Sequence, residues 1–206
     1  MIEDISKLKS PEDWGKHQFE AGLLSWFSWA MLGEQHYLTY KVLIQEYKNA
    51  VNELITTYKD VSGYDYGTKE FEVMQKTYFY QPANLFLALS FENFLKGIWI
   101  KQNAVILSGK EKLPNLLKTH ELNKLANKCA LTLSEGEKKF LDALSMFSIW
   151  MGKYVIPTNQ KENIKFFTNR IDQKFSTISN HKEFDFPEPV ITLRSKISEK
   201  LNLKLH

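Results

Sequence analysis

QPANLFLALSFENFLKGIWIKQ, residues 81–102, is the stretch whose reading decides the fold. On a helix of about 3.6 residues per turn, Leu87, Phe91, Phe94 and Ile98 line up as one apolar stripe, with Leu95 and Trp99 at its border. The opposite side mixes Leu85, Leu89 and Ile100 with Glu92, Asn93 and Lys96. A helix apolar on nearly every side belongs between other helices rather than on a surface. Glu92 and Lys96 then need partners or water, because an unpaired charge inside a core is costly.

Working outward, the rest of the chain also reads as helix. Ser10-Pro11-Glu12-Asp13 supplies a cap, a first-turn proline and acids for a helix start. Phe19, Leu23, Trp26, Phe27 and Ala30 follow at helical spacing, and Gly33 is expected to break that helix. Tyr40, Ile44, Tyr47, Val51, Leu54 and Tyr58 then alternate in steps of four and three, a seam that fits packing within the chain or dimerisation. Gly63 and Gly67 mark a connection over 61–69. The central helix is expected to begin near Glu70 and to kink or restart at Pro82. Thr119 is placed to cap a helix carrying Leu122, Leu125, Ala126 and Cys129. Ser134 and Glu137 form a capping box ahead of Phe140, Leu141, Leu144, Phe147 and Met151. Residues 184–189 read as an extended strap, followed by a helix with Val190, Leu193, Ile197 and Leu201 on one face. No segment alternates as a strand would. The expectation is one all-α domain over 1–206, an up-and-down bundle of about six to eight helices, with an N-terminal hairpin over 10–60, a core over 70–157 and a strap and helix over 186–206.

Composition narrows the class. At 206 residues and 43% hydrophobic the chain can bury one sizeable core. The net charge of +3 is small, but residues 1–100 carry 9 Lys+Arg against 13 Asp+Glu, and residues 101–206 carry 18 against 11. A basic C-terminal half points toward phosphate-bearing partners. Cys129 is the only cysteine, which excludes an intrachain disulfide and a Cys-based zinc site. The opening MIEDISKLKS lacks the apolar run of a secretory signal, and Leu23 to Leu32 is too short for a membrane span. A cytoplasmic, soluble protein without a membrane partner is expected.

Candidate chemistry is sparse. His120-Glu121-Leu122-Asn123-Lys124 has Lys where a zinc-protease helix needs its second His. There is no glycine-rich phosphate loop and no nucleophile elbow, and no cofactor or metal is expected. Glu92 and Lys96 stand four apart with the acid first, the favourable order for a helical ion pair. Either they neutralise each other under the neighbouring helices, or they converge with His120 on a cleft where the imidazole carries protons. Lys153, Lys161, Lys165, Arg170 and Lys174, interspersed with Tyr154 and phenylalanines, fit either phosphate and base binding or a solvated face over core aromatics.

These residues carry a family resemblance. The helix Asn84 to Ile100, the helix start His120-Glu121-Leu122, and the capping-box helix leading to Trp150-Met151-Gly152-Lys153-Tyr154 with Pro157 resemble the HEPN (higher eukaryotes and prokaryotes nucleotide-binding) superfamily over residues 70–157. The resemblance implies a helical bundle, often a homodimer, in bacterial toxin–antitoxin or antiphage defence systems, with a nucleotide, RNA or protein partner. Catalytic members are similar in carrying Arg, four to six residues, then His as a metal-independent ribonuclease site. Here the histidines that follow Arg170 and Arg194 are His181 and His206, 11 and 12 residues on, so that motif is absent. Lys153 also stands where the resembling families often have Arg, and Lys lacks the bidentate fork. A non-catalytic binding module is the leading expectation. A degenerate ribonuclease using Glu92, Lys96 and His120, and a purely structural dimerisation protein, are the alternatives.

Overall fold

The computed structural model describes residues 10–57, 68–151 and 188–205, without the side chains of Glu70, Trp150 and Met151. Residues 61–67 of the expected glycine connection, residues 184–187 of the expected strap and the helix end at Gly152-Lys153-Tyr154 lie outside the described residues; Glu188 and Pro189, read as the end of the strap, instead open the last helix. Within them the order is α1 (Pro11–Leu24), α2 (Trp26–Thr57), α3 (Lys69–Thr77), α4 (Tyr80–Leu107), a 3₁₀ turn (Asn115–Lys118), α5 (Leu122–Lys128), α6 (Glu135–Met146) continuing as a π turn (Phe147–Met151), and α7 (Glu188–Leu201). There is no strand among the described residues, so the all-helical expectation holds.

Local signals set most boundaries. Ser10 Oγ accepts the Asp13 amide at 3.1 Å, and Pro11 opens α1. Ser134 and Glu137 form the complete capping box at the start of α6. Pro82 sits in the first turn of α4, where its missing N–H costs no helical hydrogen bond, so the central helix restarts there rather than kinking. Gly109 follows the end of α4 with φ +73, and its amide reaches Glu20 of α1 at 3.0 Å.

Two expectations are corrected. Gly33 does not break a helix: α2 runs through it, and the break falls at Ser25. There Ser25 leaves the helical region at ψ 75, and its hydroxyl accepts the Ser28 amide at 3.3 Å, so it closes α1 and caps α2. Thr119 does not cap α5 directly. It accepts the Glu121 amide, while the first amide of α5, on Leu122, is taken by Ser145 Oγ of α6 at 2.9 Å.

α4 is the centre. Leu87, Phe91, Phe94 and Ile98 are buried, as is every residue from Ser90 to Ile98, because α2, α5, α6 and α7 surround it. α2 runs antiparallel to it: Gly97 faces Trp26 and Ala30, Phe94 faces Gly33, Asn93 meets His36, and Tyr80 stacks on Tyr47. Glycine permits the approach. A Cβ on Gly33 would lie 2.8 Å from Phe94 Cδ1 and 3.0 Å from the Ser90 carbonyl, and one on Gly97 would lie 3.0 Å from the Trp26 carbonyl.

The Tyr40 to Tyr58 seam, whose last residue lies outside the described residues, is used within the chain. Tyr40 is buried, Ile44 packs on the main core, and the ion pairs Glu46–Lys76 and Glu53–Lys69 join α2 to α3. α7 completes the same core through Val190, Leu193, Ile197 and Leu201. Of the residues at helical spacing across α1 and the start of α2, Leu23 and Ala30 are buried, whereas Phe19 and Phe27 are 40% and 50% exposed.

Candidate functional site

Glu92, Lys96 and His120 are brought together. One helical turn puts Lys96 Nζ 2.5 Å from Glu92 Oε1, and the start of α5 delivers His120 Nδ1 to Glu92 Oε2 at 2.9 Å. Each carboxylate oxygen therefore has its own partner. The side chains of Glu92 and Lys96 are both 6% exposed, whereas that of His120 is 41% exposed. The alternative in which the acid and the lysine neutralise each other beneath the helices describes these two residues; His120 alone reaches the surface. Lys96 Nζ also lies 5.8 Å from the centre of the Trp29 ring, a cation–π distance.

The tautomer follows from this geometry. An ionised carboxylate only accepts, so Nδ1 of His120 donates and the neutral ring keeps Nε2 as its acceptor. Among the described residues Nε2 has no hydrogen-bond partner. Cys129 is buried, its thiol donates to the Leu95 carbonyl at 3.1 Å, and burial pushes it up to about 12. Among the described residues no group of three His, Cys, Asp or Glu side chains is placed to hold a metal.

A second histidine, His36 of α2, lies against α4. Asn93 Nδ2 donates to the Leu89 carbonyl at 2.8 Å and sits 3.1 Å from His36 Nδ1. Burial holds His36 below its ordinary value, opposed by the Leu89 carbonyl and the Glu92 charge.

Sequence reasoning missed a second buried pair. Arg194 of α7 donates to Glu34 of α2 at 2.9 Å, with its guanidinium 3.4 Å from the centre of the Tyr37 ring. It forms the inner wall of a cleft of about 700 Å³ that Ile191, Ser198, Leu203 and Lys204 also line. No local pattern signals this pair, since 160 residues separate its members. The one hint is an acid on the inner, glycine-bearing part of α2.

The binding candidates Lys153, Tyr154, Lys161, Lys165, Arg170 and Lys174 lie outside the described residues. Among the described residues no helix is long and apolar enough to cross a membrane. The fold and site thus define an all-helical bundle with a sealed Lys–Glu pair holding a half-exposed histidine. No known protein family, curated protein or solved structure matches the chain.

Proposed function

We propose that this chain is a non-catalytic, HEPN-like helical binding module that takes a phosphate-bearing ligand, a nucleotide or RNA, where His120 emerges. The observation that carries this is the Glu92–His120 hydrogen bond: both carboxylate oxygens are committed inside, and only the imidazole is presented outward. Protonated, that ring offers Nε2–H to a phosphate oxygen while Nδ1–H stays on Glu92. Exposed Lys118 and Lys124 flank His120 in the chain, and the basic C-terminal half supports the same ligand class.

Fluorescence anisotropy with a short single-stranded RNA and with ATP at low salt tests the reading. His120→Ala is expected to weaken binding about tenfold, the worth of one charge-assisted hydrogen bond, with little change in thermal stability. Absence of binding at low salt, or a variant that binds as the parent does, refutes it.

A second reading, a metal-independent ribonuclease, is favoured by the same hydrogen bond. It leaves neutral Nε2 as an acceptor, the requirement for a general base acting on a ribose hydroxyl. RNA cleavage that persists in chelator and disappears in His120→Ala selects this reading; intact RNA in both rejects it.

A further inference from the structure

We propose that the outer face of α2 is the contact surface for a second copy of this chain, the two helices lying parallel across a twofold axis. α2 carries two seams. The inner one, Tyr40, Ile44 and Tyr47, is covered by α3, α4 and the main core. The outer one starts at Ser28 and repeats in steps of three and four to Asn52, and every position on it is exposed. At about 1.5 Å per residue it is about 36 Å long.

Its chemistry is that of a two-helix contact. No position on the outer seam is charged, in a chain that is 25% charged. Met31, Leu38 and Val42 lie on it at 43%, 45% and 63% exposure, and Phe27 borders it at 50%. In heptad positions Leu38 is d, Val42 is a and Asn49 is a. A β-branched residue at a with Leu at d favours two parallel strands, and a single Asn at a fixes the register.

The flanking charges choose the partner and its direction. Lys41 and Lys48 lie on one border of the seam, Glu46 and Glu53 on the other. In a parallel, in-register pair of identical helices each border faces the opposite border of the partner. Lys41 then meets Glu46 of the other copy, and Lys48 meets Glu53, each five residues on. An antiparallel pair would set lysine against lysine and glutamate against glutamate. The intrachain pairs Glu46–Lys76 and Glu53–Lys69, at 3.6 and 3.9 Å, are long and solvent-exposed, so they hold these carboxylates only weakly. Because five of the eight positions of the outer seam are polar, the association is reversible and concentration-dependent.

Sedimentation equilibrium of the full chain across micromolar to millimolar concentrations tests the proposal. The parent is expected to dimerise, and Leu38→Glu with Val42→Glu to remain monomeric with an unchanged circular dichroism spectrum. Lys41→Glu with Lys48→Glu is expected to weaken the dimer at least tenfold. Adding Glu46→Lys and Glu53→Lys to that variant restores complementarity and the parent affinity. Asn52→Cys gives an independent reading: in the parallel pair the two new thiols face each other and oxidise to a covalent dimer, and the buried Cys129 does not compete. A parent that stays monomeric, including one that captures only a different protein, overturns the proposal. So does a dimer that survives Leu38→Glu with Val42→Glu, a fourfold charge exchange that fails to restore affinity, or an Asn52→Cys dimer that does not cross-link.

Discussion

Replacing Glu92 by Leu removes one half of a sealed pair and leaves Lys96 Nζ with the Trp29 ring face in an environment where only 6% of its side chain meets solvent. An ammonium so placed must be dragged to water or lose its proton, and breaking a buried pair in this way costs about 3–5 kcal/mol. Lys96→Met costs somewhat less, because Glu92 retains its hydrogen bond from half-exposed His120. The double variant Glu92→Leu, Lys96→Met leaves no orphaned charge. Only His120 loses its partner, and water can replace it there, so the double variant is expected to fall between the parent and about 2 kcal/mol above it in stability. The difference between the double variant and the two singles is the coupling energy. Urea unfolding followed by circular dichroism measures all four proteins, and a small domain with about 5–15 kcal/mol in hand remains folded enough to give baselines. If Glu92→Leu costs less than about 1 kcal/mol, the carboxylate is not sealed. If the double variant costs as much as both singles together, Glu92 and Lys96 do not act as a pair.

Gly33→Ala is expected to destabilise by about 1–3 kcal/mol, because its new methyl meets the Phe94 ring and the Ser90 carbonyl. Gly22→Ala, with open space around it on α1, should stabilise by about 0.5–1 kcal/mol; thermal melts of the two separate crowding from helix propensity. Burial alone would raise the Glu137 carboxyl, but Lys196, the Ser134 amide and the Thr192 hydroxyl together hold it below 4.5. Its contribution to stability is thus complete above pH 4.5 and lost as pH falls through its lowered value, and Lys196→Met flattens that acid limb of the stability profile. Burial keeps His36 below 6.5, so stability is also complete above pH 6.5 and declines as pH drops through the lowered value; His36→Asn removes that part of the profile in denaturant titrations at several pH values. Cys129, buried with its thiol pushed up to about 12, is expected to resist alkylation at neutral pH until the chain unfolds, as mass spectrometry with and without urea reports.

The amino-acid sequence by itself determined the helical class, the caps at Ser10 and Ser134, the Leu87–Ile98 stripe and the four-residue spacing that lets Glu92 and Lys96 pair. Each depends on residues three or four apart, a spacing that helix geometry fixes before any tertiary contact forms. It also placed His120 among the candidates and left its meeting with Glu92 as one of two alternatives, because that contact needs the start of α5 to fold back over α4 across 28 residues. Gly33 illustrates the limit most directly. A glycine in a helical pattern reads as a break, and only the approach of Phe94 reveals a crossing point that has no room for a methyl group. The Glu34–Arg194 pair and the cleft beside it were equally invisible, since their partners come from opposite ends of the chain. Periodicity states which faces of a helix are apolar, not which are covered. α2 is apolar on its inner seam and again at Phe27, Met31, Leu38 and Val42, and tertiary packing alone decided that α3, α4 and the core take the first and leave the second in solvent.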